Sequence, residues 1–179
     1  MLPGFRLFKD AAPERATSPI ETNNVHEIAP ESAMIRNATL SELFGFWSAK
    51  KTALGRIPAR RDIAPKEIKT LLPYIAIADV IDGGEDFRFR ICGTAITEEA
   101  GAELTGKSWL SFSHTEVMVE RSRELVKTGM PYYASNVRAL WAPKDFQHYS
   151  VLALPLSKDG KVVDMVLYGI AFHPMDAEG

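Results

Sequence analysis

One stretch of this chain has the residue types and spacing for phosphate chemistry. Gly101-Ala102-Glu103-Leu104-Thr105-Gly106-Lys107-Ser108 matches the pattern Gly-x-x-x-x-Gly-Lys-Ser/Thr at every position. In such a loop backbone N–H groups cradle phosphates, the lysine reaches the outer phosphate oxygens and the hydroxyl holds Mg²⁺. A small nucleotide-binding enzyme using Gly106, Lys107 and Ser108 is therefore one reading. The flanks oppose it. Thr97-Glu98-Glu99-Ala100 is helical in character and acidic, and two glutamates would repel a polyphosphate. The lead-out Ser108-Trp109-Leu110-Ser111-Phe112-Ser113 is too short and Ser-broken for the helix that should follow. Ile75-Ala76-Ile77-Ala78-Asp79 resembles a Mg²⁺-supporting strand but precedes the loop, the less usual order. The simpler reading makes Gly101 the end of a helix and Gly106 a turn.

Other chemistry is sparse. There is no Gly-x-Ser-x-Gly nucleophile motif and no His-rich metal helix. Glu98 and Glu99 are neighbours, so on a helix they point about 100° apart and form no acid–base pair. The single cysteine, Cys92, excludes an internal disulfide and a Cys-based zinc site, and fits a reducing compartment. A net charge of −2 supplies no basic field for nucleic acid or an anionic membrane. No apolar run is long enough for a signal peptide or a membrane span. The expectation is a cytoplasmic, non-enzymatic binding protein without a metal site.

The elements that must position these residues follow from periodicity and punctuation. Residues 1–37 carry four prolines among Glu, Ser, Thr and Asn and read as a flexible tail. Its start, Leu2 to Phe8, is an apolar-basic stretch that reads as a frayed end or a docking peptide. A helix is expected over 39–54, capped by a Thr39–Glu42 box and closed by Gly55. Its apolar residues Leu40, Leu43, Phe44 and Trp47 must pack on the domain or on another copy. Pro65 opens a short helix, and Ile75–Ile81 and Phe87–Cys92 are strands. In the second, Phe87, Phe89 and Ile91 alternate with Arg88 and Arg90, which go to the outer face. Thr94 caps a helical turn through Ala100, and a Ser113–Glu116 box opens a helix to Thr128. Strands follow at Tyr132–Trp141, Gln147–Leu156 and Val162–Phe172, the last two joined by a type I′ turn at Asp159-Gly160.

Two adjacent strands and three adjacent strands flanking a helical block predict an α+β fold. The expected architecture is a five-stranded antiparallel sheet with helices on one face and an extra N-terminal amphipathic helix. The domain spans 38–173, with a short C-terminal tail at 174–179.

This order resembles a PAS domain, and more narrowly a group of small bacterial single-PAS proteins. The motifs carrying the likeness run in order along the chain. They are Phe46-Trp47 before Gly55-Arg56-Ile57-Pro58-Ala59-Arg60, then Asp62 to Ile68, Leu71-Leu72-Pro73, Phe87 to Thr94, Gly101 to Lys107, and Leu154-Pro155-Leu156-Ser157. The resemblance implies a sensory or interaction role and specifies no ligand or cofactor. Cys92 ends a strand, unlike the helical cysteine of flavin photoreceptors. His114 and His148 sit in no haem-ligand motif.

A ligand pocket would lie between the sheet and the helical block. Its candidate lining is Phe87, Phe89, Ile91, Ile96, Leu104, Trp109, Met118 and Leu125, which could equally form a filled core. His148 and Ser150 share a face with Leu152 and Leu154, and would orient a ligand if that face points inward. Arg138 could do the same or stay solvated. Candidate partners are a small molecule, a second copy in a homodimer contacting through Leu40, Leu43, Phe44 and Trp47, and a signalling protein. No kinase, cyclase or DNA-binding segment follows Phe172, so output is expected in trans. A ligand-free structural interaction module is the remaining alternative.

Overall fold

The computed structural model describes residues 25–140 and 147–174. The Leu2–Phe8 stretch, the rest of 1–24, residues 141–146 with Trp141 among them, and residues 175–179 lie outside the described residues.

The fold is α+β around one antiparallel sheet in the order β1-β4-β5-β6-β2-β3. The strands are β1 (Val25–Ile28), β2 (Ile75–Ile81), β3 (Asp86–Cys92), β4 (Tyr132–Arg138), β5 (Gln147–Leu156) and β6 (Met165–Pro174). Five were expected; the sixth is β1, from the span read as a tail. It pairs His26 with Ala134 and Ile28 with Tyr132, at the β4 edge. Four residues without a strong period carry too little local signal to announce a strand. The pairing with β4 supplies it.

Helices cover both faces. On the inner face lie α2 (Thr94–Ala100), the 3-10 turn Trp109–Ser111 and α3 (Glu116–Thr128). On the outer face lies α1 (Ala38–Leu54). Alternation along the central strands builds a core on each side. Tyr149, Val151, Ala153, Val166, Tyr168 and Ile170 face inward. Leu152, Leu154, Leu156, Leu167 and Ala171 face α1.

The expected helix 39–54 forms with one added residue, and its cap differs. Asn37, not Thr39, is the N-cap, its side chain accepting the Leu40 N–H at 3.1 Å. Gly55 closes the helix at φ 63°. Leu40, Leu43 and Trp47 are buried against the sheet of the same chain. The Trp47 indole N–H donates to Pro155 O at 3.0 Å. Pro155 sits beyond Ala153, the last β5 residue paired with β4, so no ladder donor is missing there. These three residues, candidates for a subunit interface, are enclosed in the second core and have no free surface for a second copy. Phe44 packs at the margin of that core and stays half-buried.

Gly169 lets α1 approach. A Cβ there would stand 2.7 Å from Leu43 Cδ2 and 2.8 Å from Leu40 Cδ2. Gly169→Ala is expected to destabilise the chain by about 1–3 kcal/mol, because leucine tips can yield but a packed core resists added volume. Chemical denaturation reads this directly, and an unchanged midpoint would contradict the close approach.

Other boundaries moved for local reasons. Gly93, not Thr94, precedes α2, and Thr97 Oγ1 donates to Gly93 O at 3.0 Å. The Ser113–Glu116 box does not form. His114 is in the left-handed region at φ 63°, and Thr115 is the residue that precedes α3. The Thr115 hydroxyl reaches back to Trp109 O at 2.7 Å and Phe112 O at 3.0 Å. The tight β5–β6 hairpin is instead a loop over 157–164, with Leu156 paired to Met165. The cause is Asp159, whose carboxylate accepts the N–H groups of Lys161 (2.8 Å) and Val162 (2.9 Å) and the Ser157 hydroxyl (2.9 Å). Those N–H groups, Val162 first, hold the Asp159 carboxyl down at about 2. They are diverted from a ladder, and Val162, expected inside the strand, is exposed.

Candidate functional site

The inner compartment lies where a ligand pocket was expected. Phe87, Phe89, Ile96, Leu104, Trp109, Met118 and Leu125 meet there, each no more than 2% exposed. Trp109 is their centre, its ring 4.5 Å from Phe89 and 6.1 Å from Tyr168 between centroids. Sequence reasoning brought these side chains together correctly in space.

Two β-bulges send other candidates to the opposite face. Along β2–β3, Ile77 pairs with Ile91 and Ala78 with Phe89, so Arg90 is an extra residue. A one-residue insertion reverses the alternation. Ile91 therefore leaves the face of Phe87 and Phe89 and stands 42% exposed on the α1 side, while Cys92 turns towards the inner core. Burial pushes the Cys92 thiol up to about 12. Along β4–β5, Ala134 pairs with Val151 and Val137 with Tyr149, so β4 carries one residue more between them. Asn136 absorbs it at φ 55°. Beyond it Val137 faces inward and Arg138 is exposed. Arg138 does not line the inner compartment.

His148 and Ser150 do share a face with Leu152 and Leu154, but it is the outer face. Both are buried there, with His148 and His173 rings stacked at 6.3 Å and Ser150 Oγ 3.3 Å from His173 Nε2. They cannot orient a ligand inside the inner compartment. Arg88 and Arg90 are exposed, and Arg90 forks onto Asp79 of the neighbouring strand (3.0 Å).

The polar chemistry of the inner compartment comes from residues the sequence reading missed. Ser122 on α3 lies 2.7 Å from the Tyr168 hydroxyl on β6 and 3.3 Å from the Tyr132 hydroxyl on β4. Tyr149 donates to Met118 Sδ at 3.0 Å. Burial raises Tyr132 to about 12 and Tyr168 well above the usual tyrosine range, so both remain neutral phenols. The available signal was helical periodicity: Met118, Ser122 and Leu125 fall on one face of α3, and a serine there had to be buried.

The phosphate-loop motif is occupied by its own fold. Gly106 N–H donates to Phe89 O (2.7 Å), Lys107 N–H to Leu104 O (3.0 Å), Gly101 N–H to Glu98 O (3.3 Å) and Thr105 N–H to Glu103 (2.9 Å). Phe89 N–H donates to Lys107 O at 2.9 Å, and Ser108 bonds the Asp86 carboxylate. The Lys107 ammonium lies over the Phe112 ring. The N–H groups of Gly101, Thr105, Gly106 and Lys107 are thus taken up within the fold, and the sheet beside the loop is antiparallel. The nucleotide-enzyme reading of Gly101–Ser108 is corrected on these contacts.

A PAS-domain family model matches residues 35–169. The chain is a member of the PAS domain family. No curated protein and no solved structure gave a match. Membership makes this PAS domain a sensory or regulatory module in general terms. Among its described residues no helix is long and apolar enough to cross a membrane. None of the described His, Cys, Asp and Glu residues gathers in a group able to hold a metal ion.

Proposed function

We propose that this PAS domain is a non-enzymatic sensor that holds a small ligand between the inner sheet face and the α2–α3 block, and that a protein partner reads the result. The observation that carries this reading is the Ser122–Tyr132–Tyr168 hydroxyl cluster, buried where α3 meets β4 and β6. Three hydroxyls in an apolar compartment offer donors and acceptors to a polar ligand. The same hydroxyls tie α3 to the sheet. A molecule bonding them would compete with the Ser122 contacts and change how firmly α3 is held, which is a readable output.

Native mass spectrometry of the purified protein tests the reading. A co-purifying molecule, reduced in Tyr168→Phe, is the expected result. A mass equal to the polypeptide alone, together with no thermal shift from any small-molecule library member, would reject it. That outcome would favour a ligand-free interaction module, which the near-complete burial of Phe87, Phe89 and Trp109 also supports. Dimerisation through α1 would draw on Phe44, which keeps part of its surface. Light scattering at micromolar concentration checks it, a clean monomer ruling it out.

A further inference from the structure

A cleft of about 460 Å³ opens on the outer face, across the sheet from α3. Its floor is Ile75 and Ile77 of β2, Ile91 of β3 and Leu167 of β6. The chain from Arg60 to Pro73, carrying the 3-10 turns Arg60–Asp62 and Pro65–Ile68, forms the wall. The volume falls within the range of about 300–1,000 Å³ usual for small-molecule sites. It depends on the bulge at Arg90: were Arg90 paired in regular register, Ile91 would face inward and the floor would lack its outer strand.

The lining has a definite chemistry. It is mostly branched aliphatic side chains and prolines, with Cys92, Gly93 and Thr94 at one end and no aromatic ring to stack on a planar ligand. Its charged members are Arg60 and Lys69, with no carboxylate, in a chain whose 23 acids outnumber its 21 Lys and Arg. Arg60 Nη1 donates to Ile63 O at 2.9 Å, which fixes the guanidinium on the wall. Its remaining donors have no partner among the described residues, and Lys69 forms no ion pair among them. Ile91 and Leu72 keep 42% and 39% of their surface in water at this concave place. A second cleft, of about 530 Å³, shares Arg60 and adds Arg61 and Lys158 against Asp79 and Asp164. Asp79 is already forked by Arg90, so the excess beyond Arg60 is positive.

We propose that this outer cleft binds a single-chain aliphatic carboxylate, its chain on the Ile75–Ile77–Ile91 floor and its head group on the cations Arg60 and Lys69. Branched aliphatic walls accept a flexible chain, and two cations without a competing acid select an anion over a neutral or cationic head. The site is separate from the inner compartment and does not depend on a ligand binding there.

Calorimetry with sodium decanoate below its micelle concentration tests the proposal, with octanoate, decanol and two variants as controls. Decanoate should bind saturably at one site. Each methylene removed should weaken binding by up to about fourfold, and decanol should bind about tenfold more weakly. Ile91→Asp and Lys69→Glu change exposed side chains and should fold normally by circular dichroism. The first should weaken decanoate about tenfold or more, and the second about three- to tenfold. Unsaturable partitioning, equal binding of decanol, or affinity unchanged in both variants would overturn it. So would amide-shift changes confined to Trp109, Ser122 and Tyr168, which would place the carboxylate in the inner compartment.

Discussion

Gly93→Ala is expected to lower the melting temperature by about 6–12 °C, roughly 3 kcal/mol in a chain of this size. The backbone at Gly93 is extended (φ −69°, ψ 156°), a conformation alanine adopts freely, so torsional strain is not the reason. Space is. A Cβ at Gly93 would collide with the carbonyl oxygens of Pro73 and Leu72. These belong to the 3-10 turn Leu72–Tyr74, which feeds directly into β2. Gly93 N–H also donates to Ile75 O at 2.7 Å, so the two segments are pinned together at the point of collision. A side-chain tip can rotate away, whereas these atoms are backbone, and moving them displaces β2. That strand pairs with both β3 and β6, and the disturbance would cross the sheet. A melting temperature within roughly 2 °C of the parent would mean that the turn yields at little cost.

Trp109→Ala is expected to cost about 3–5 kcal/mol, the range for emptying a large aromatic site in a core. Trp109 is 1% exposed and joins Phe89 on β3 to Tyr168 on β6. Its backbone carbonyl also receives the Thr115 hydroxyl at the entrance to α3. The substitution leaves that bond in place and removes only the ring, so the loss reads the packing of the inner compartment. Denaturant unfolding measures it, with Trp109→Phe expected to recover part of the stability. A loss below about 1.5 kcal/mol would show that α3 can settle into the space, since cavity cost depends on how far a site collapses.

How far the sequence could be read depended on whether pairing or periodicity governed each residue. The apolar period of α1 and the glycines at 55, 101 and 129 marked helices and their ends without reference to anything distant. Each of these glycines takes the left-handed conformation expected of a helix stop. Phe87 and Phe89 were placed correctly by simple alternation. Ile91 was not, although it continues the same alternation, because Arg90 is one residue too many in the pairing with β2. Nothing local to Phe87–Cys92 announces that bulge. The inward alternative for Arg138 failed for the same reason at Asn136, and its solvated alternative is the one the exposed side chain matches, although an asparagine in a strand interior is a weak hint of a left-handed residue. His148 and Ser150 were correctly grouped with Leu152 and Leu154, but which way a face points is decided by the whole sheet. Capping boxes misled at Thr39 and Ser113 because a nearby Asn37 and the Thr115–Trp109 contact offered better geometry.

The loop that mimics a phosphate motif has a consequence for association between chains. A sheet's outermost strand presents unpaired N–H and C=O groups, a template on which another polypeptide can assemble. At β3 that template is closed at its centre. Phe89 gives its N–H to Lys107 and its carbonyl to Gly106, and Arg88 faces Ser108 in an isolated bridge. An incoming strand would find those positions filled and would have to strip away the 104–108 turn first. Gly106, at φ 84°, makes that turn tight enough to lie along the edge. The glycine and lysine that imitate a nucleotide site thus act as a guard against strand-by-strand aggregation at this end of the sheet.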